Sequence, residues 1–185
     1  MIPSWIFDQE QADSIRLNNL NAKAETIFEK ASFKNSIKNK RCLIPSTGFF
    51  EWQLFQKKKF PYFISLKNSI LFSMGGIYNE WHNENNHEKI HTYSIVTTEA
   101  NLLMQDIHNT KKRMPLILSE ADEMKWINTE ITQTQIQKLA VPFAAEKMQA
   151  HTVSKLVSNF ATQNSNVEDV SKSYTYSEFQ QGSLF

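Results

Sequence analysis

The close succession of short apolar runs between residues 42 and 118 constrains this 185-residue chain more than any other feature. Cys42-Leu43-Ile44-Pro45 and Gly48-Phe49-Phe50-Glu51-Trp52 read as two strands joined by Ser46-Thr47. Tyr62 to Leu66 and Ile70 to Met74 flank Lys67-Asn68-Ser69, which predicts a tight hairpin. Thr92 to Thr97 alternates apolar and polar residues, as a half-buried strand does. Met114 to Leu118 is a further short run. Helical patterns surround these strands. Thr98 is placed to cap a helix over residues 99–107, and Ser119 one over 120–127. Thr132 with Gln135 fits a capping box. Residues 24–38 read as one or two helices with Ile27, Phe28, Phe33 and Ile37 turned inward. Strand follows strand without regular βαβ alternation, so the class is α+β, built on an antiparallel sheet or barrel-like core with flanking short helices.

Composition narrows the function classes. One cysteine, Cys42, excludes an internal disulfide framework and an all-cysteine metal cluster. In its apolar strand it reads as an inert core thiol. No apolar run approaches the roughly 18 residues of a membrane span, and the N-terminus lacks the pattern of a signal peptide. The expectation is a soluble cytoplasmic domain. His82, His87 and His91 cluster loosely, with no completing cysteine or carboxylate, so no metal site and no cofactor is expected. The net charge is +1, but residues 1–60 hold ten Lys and Arg against six Asp and Glu. A second short basic run is Lys111-Lys112-Arg113. Such a distribution suits a phosphate-bearing partner, although charge alone also describes a solvated face.

Three polar residues stand out against apolar neighbours. Glu51 lies between Phe50 and Trp52, where desolvation would raise its pKa toward a range useful for proton transfer. Taken alone, strand alternation favours an outward-facing residue instead. His108 follows an amphipathic helix, where the helix dipole alone accounts for a histidine. Asn21 on its own is a cap or turn residue.

Taken together, the motifs say more. Asn21-Ala22-Lys23-Ala24-Glu25-Thr26, followed by Arg41 to Trp52, closely resembles the SOS-response-associated peptidase (SRAP) family. The resemblance extends to Ile2-Pro3-Ser4-Trp5, Pro61 to Ile64, Met74 to Trp81, Thr97 to Asn101, Ile107-His108, Arg113 to Leu118, and Val153 to Asn159. It therefore implies one domain over residues 1–160, with 161–185 as an irregular tail.

By this resemblance the chain is a sensor of abasic sites in single-stranded DNA. It would attach covalently to the opened sugar aldehyde through an N-terminal amine, a cysteine closing the durable ring, and self-process its N-terminus. Glu51 and His108 would move protons, and Asn21 would orient the nucleophile. Lys23, Arg113 and Trp5 would hold the DNA, Lys23 standing where the family has Arg. The partner would be single-stranded DNA, met at the nucleoid after damage, with no membrane involved. Two features depart from the family. Asn109-Thr110-Lys111-Lys112 makes the His108–Arg113 spacing long. The family's opening Met-Cys-Gly-Arg segment does not precede Ile2-Pro3-Ser4-Trp5. The expectation is thus an N-terminally truncated domain with apolar surface to cover, by self-association or by an N-terminal complement. A non-catalytic single-stranded DNA binder and a protein-interaction module remain alternatives.

Overall fold

A computed structural model describes residues 1–83, 86–158 and 167–180. In chain order the first elements are α1 (Gln9–Asn18), β1 (Asn21–Lys23), α2 (Ser36–Asn39), β2 (Arg41–Ser46), β3 (Phe49–Phe55), β4 (Lys58–Leu66) and β5 (Phe72–His82). There follow β6 (Lys89–Glu99), α3 (Leu102–Ile107), β7 (Arg113–Pro115), β8 (Ile117–Leu118), α4 (Glu120–Ile127), α5 (Gln133–Leu139), β9 (Met148–Thr152) and α6 (Ser177–Gln180). The class is α+β, and among the described residues every strand pairing but β1 with β6 is antiparallel. None of the described helices is long and apolar enough to cross a membrane.

The chain forms two compact units that interleave in sequence. The first comprises Met1–Ser46, Phe72–Glu99 and Arg113–Phe143. Its sheet runs β1-β6-β5-β2, with β7 added on β6 and β8 on β5. Ile37, Ile77, Val96, Leu116, Trp126 and Ile136 form the buried centre of its core. Gly75 is required there, because a Cβ would stand 2.7 Å from Leu116 Cδ2 and 3.2 Å from Trp126 Cε2. The close approach seats Trp126 over the sheet, and its indole N–H donates to the Cys42 and Gly76 carbonyls.

The second unit comprises Thr47–Leu71, Ala100–Lys112 and the described residues of Ala144–Phe185. Its sheet is β3-β4-β9. Phe60, fully buried, meets Tyr176 at 4.9 Å and Phe179 at 4.8 Å between ring centroids. Within the expected irregular tail, Glu168–Ser171 form a 3-10 turn and Ser177–Gln180 form α6. Ring burial and the Tyr176 hydroxyl, which donates to the Val153 carbonyl at 2.7 Å, hold that segment in place.

Several expectations are corrected. The hairpin about Lys67-Asn68-Ser69 does not form, because β4 pairs with β3 and β9, whereas β5 pairs with β2, β6 and β8. The tight hairpin is β3–β4, turning at Gln56 and Lys57, both at positive φ (47° and 63°). That turn geometry usually announces itself by Asn or Gly, and Gln56-Lys57 has neither. Thr98 does not cap a helix; it lies in β6, and Asn101 caps α3 by accepting from the Met104 N–H. Residues 24–38 contain only a 3-10 turn and the start of α2, yet Ile27, Phe33 and Ile37 are buried as the pattern requires. The Thr132–Gln135 capping box is present. Glu84, Asn85 and Asn159, the last of these in the final motif, lie outside the described residues.

Candidate functional site

The second unit brings two of the singled-out residues together. Glu51 sits in mid-β3, opposite Tyr62 of β4. His108 is the residue that ends α3: its N–H donates to the Met104 carbonyl, and Met104 and Ile107 anchor the helix in the core. The helix thus delivers the imidazole to β3, with Nδ1 at 3.6 Å from Glu51 Oε1. This is an ion-pair distance, longer than a hydrogen bond. Catalytic contacts in a substrate-free protein are often loose in this way and tighten around substrate.

Both side chains are largely withdrawn from solvent, 18% exposed for His108 and 23% for Glu51. Burial raises the Glu51 pKa above the ordinary carboxylate range. The charges of His108 and Lys111 and the Trp52 peptide N–H pull the other way without cancelling it. Glu51 is therefore tuned to hold and release a proton closer to neutrality than a surface carboxylate. The pair opens into a cleft of about 400 Å³ whose lining includes Trp52, Lys59, Lys111 and Ser158. The Trp52 indole N–H donates to Ser158 Oγ at 2.9 Å, which fixes one wall.

The residues after His108, which lengthen the motif, fold into a closed turn. The Lys112 N–H donates to the His108 carbonyl at 2.8 Å, and Lys112 takes a left-handed φ of 50°. The Asn109 side chain faces the open edge of β3, accepting from the Leu54 N–H at 3.1 Å and donating to the Leu54 carbonyl at 2.9 Å. Gln53 Nε2 also donates to the Asp106 carbonyl at 3.0 Å. An amide side chain thus substitutes for a neighbouring strand and holds the His108 turn against the strand that carries Glu51.

The other four candidates belong to the first unit. Asn21 and Lys23 are exposed ends of β1, paired in parallel with Ile95 and Thr97 of β6. Arg113 opens β7, and its guanidinium grips Glu25 with both arms, at 2.7 and 2.9 Å. It also donates to the Thr97 carbonyl at 2.6 Å. Burial pushes the Glu25 pKa up, but the Arg113 hydrogen bonds and charge outweigh it and hold the group below its ordinary value. Trp5, half exposed, borders a polar cleft of about 320 Å³ that Lys38 and Lys40 also line. His82 and His91 both turn Nε2 to Glu80, at 2.7 and 3.1 Å. Burial raises the pKa of the half-buried Cys42 thiol, as suits an unreactive group.

Sequence reasoning passed over three features of the cleft. Lys111 stands in the sequence only as a member of a basic run, and Lys59 only as part of the basic excess of residues 1–60. Asn109 carried no signal, because its role depends on which strand edge the turn meets.

Comparison with known proteins adds an independent observation. The family model described as SOS response associated peptidase (SRAP) matches residues 1–160. The chain is 40% identical over 161 residues to the abasic site processing protein YoqW of Bacillus subtilis, covering 86% of this chain and 68% of that protein. It is 31% identical over 180 residues to the abasic site processing protein HMCES of Xenopus tropicalis, where it spans about half (52%) of the relative's length. A solved structure of a protein from Bacteroides thetaiotaomicron superposes with a TM-score of 0.90 at 40% identity, covering 95% of this chain and 74% of that one.

Proposed function

The chain belongs to the SOS response associated peptidase (SRAP) family, and from that premise we propose that it recognises abasic sites in single-stranded DNA and processes them with Glu51 and His108 as its proton-transfer pair. The observation that carries this reading is the Glu51–His108 pair at 3.6 Å in a cleft, where burial raises the Glu51 pKa above its ordinary value. The names of its relatives support abasic sites as the target.

The chemistry suits such a pair. Ring opening of an abasic deoxyribose moves a proton from the C1′ hydroxyl and returns one to the ring oxygen, leaving an aldehyde. A primary amine adds to that aldehyde, and the carbinolamine loses water as it forms an imine. Glu51 supplies the proton to the departing hydroxyl, and His108 takes up the proton released by the amine. The family resemblance assigns the amine to a terminal cysteine, whose thiol then adds to the imine carbon and closes a ring. No residue of this sequence stands in that Met-Cys-Gly-Arg motif. Self-processing of the N-terminus and action at damaged DNA in the cytoplasm belong to the same proposal.

The test uses a single-stranded oligonucleotide with one natural abasic site. The reading expects a DNA–protein adduct that survives denaturation once a Met-Cys-Gly-Arg segment precedes Ile2. Glu51→Gln and His108→Ala each slow its formation by roughly 10²-fold or more. Salt-sensitive binding with no adduct, unchanged by Glu51→Gln, supports a non-catalytic DNA binder instead.

A further inference from the structure

We propose that Lys59 and Lys111 form a phosphodiester-binding subsite beside Glu51 and His108, which seats the DNA backbone flanking the reacting sugar. The proposal rests on reading that cleft as the reactive site, and adds the group that recognises its substrate's charge.

Four observations carry it. Both lysines line the same cleft of about 400 Å³ as the Glu51–His108 pair. Both are exposed, and among the described residues neither makes an ion pair, whereas the neighbouring Lys58 is taken up by Glu178 at 3.1 Å. Lys111 lies near enough to Glu51 for its charge to act on that carboxylate. Finally, neither lysine hangs from a loose loop. Lys59 is in β4, in register with Leu54 of β3. Lys111 is in the turn closed by the Lys112 N–H on the His108 carbonyl. The Asn109 amide clamps that turn to the backbone of the same Leu54. One β3 residue therefore sets the positions of both cations.

Charge balance points to an anion. Two lysines share the cleft with one carboxylate, and burial favours that carboxylate's neutral form. Ammonium groups on flexible stems bind phosphate as point charges and read no base. The lengthened His108–Arg113 spacing thereby acquires a purpose: its inserted turn carries a cation into the cleft, while Arg113 is held by Glu25.

The test measures binding by fluorescence anisotropy from low to moderate salt, using the chain as it stands. The probe is a single-stranded oligonucleotide bearing a tetrahydrofuran abasic analogue, which has no aldehyde and cannot react. Each lysine neutralising one phosphate contributes about 0.7 to the slope of log affinity against log salt. The double variant K59A/K111A is expected to lose roughly 1.4 from that slope and Lys111→Arg to lose nothing, while Lys138→Ala on α5 leaves the slope unchanged. Melting temperatures of all variants should match the wild type, since both lysines are exposed. A K59A/K111A slope equal to wild type overturns the subsite, as does a slope difference abolished by millimolar inorganic phosphate at matched ionic strength, which identifies a free-phosphate site. The adduct assay with natural abasic DNA tests the function independently. Adduct formation with an unchanged K59A/K111A slope sinks only the subsite, whereas a reduced slope without Glu51-dependent adduct sinks only the chemistry.

Discussion

Two pairs of cations, one pair in each unit, are used in opposite ways. In the first, Arg41 is 5% exposed and is spent on backbone: it donates to the carbonyls of Ile37 (2.6 Å), Lys38 (2.5 Å), Trp126 (2.5 Å) and Asn128. Arg113 is likewise occupied by Glu25 and Thr97. These guanidiniums tie loops and helix ends to the sheet. In the second unit, Lys59 and Lys111 face a cleft and make no ion pair among the described residues, next to a carboxylate that burial holds away from its ordinary pKa. The planar, five-donor group is used where fixed carbonyls must be satisfied, and the point charge where a ligand must come and go. The cleft of the second unit keeps a carboxylate at an electrostatic cost, which is a usual mark of a functional region.

The contrast is broken most directly at Arg41. Arg41→Ala strands four carbonyls near the sheet and should cost about 3 kcal/mol or more, lowering the melting temperature by roughly 10 °C. Arg41→Lys should recover little, since one ammonium cannot reach carbonyls spread from Ile37 to Asn128. A full recovery by lysine, read by thermal denaturation, would show that charge alone is at work. The Arg113–Glu25 pair is the intermediate case. Arg113→Ala should cost about 1–2 kcal/mol, discounted because Glu25 is 43% exposed. Its pH dependence has a definite sign. Glu25 has a folded pKa below its ordinary value, so the pair stabilises above the ordinary carboxylate pKa and loses that effect as pH falls through the depressed one. The gap in melting temperature between wild type and Glu25→Gln should therefore close as pH falls below about 4.

The sequence was most informative where local chemistry decides the outcome. The Thr132–Gln135 box, the α4 start and the inward set Ile27, Phe33 and Ile37 depend on neighbours within a few residues. Strand pairing was illegible where it depends on distant partners. Lys67-Asn68-Ser69 has good turn composition, yet β4 finds β9 some eighty residues later. Gln56-Lys57 has poor turn composition, yet the β3–β4 register imposes positive φ on both. The same divide runs through the site. Glu51 and His108 were noticed through local context and family motifs, whereas Asn109 and the two cleft lysines acquire meaning only once α3 lies against β3.

The carboxy-terminal segment probes the stability of the second unit itself. Tyr176→Phe removes the bond to the Val153 carbonyl but keeps the ring against Phe60, so it should cost about 1 kcal/mol. A much larger loss would mean that the segment is as integral to its unit as Arg41 is to the other.

The smallest effect, and the sharpest, is expected at Glu51, because it has the opposite sign. Burial raises the folded pKa of this carboxyl above its value in the unfolded chain, so the folded state binds a proton more tightly. Stability is then full below the unfolded pKa and is lost as pH rises through the folded one. Glutamine keeps the shape without the charge. Glu51→Gln should therefore melt close to wild type at pH 4 and above it at pH 8, by a degree or two. The pairing with His108 sets a limit on that gain, since any favourable charge contact disappears with the carboxylate. Replacing both Glu51 and His108 separates the two effects: if the gain at pH 8 comes from relieved desolvation, it survives Glu51→Gln in a His108→Ala background. A wild type more stable than Glu51→Gln at pH 8 would place Glu51 with Arg113 and Arg41, as a structural charge, and erase the difference between the units.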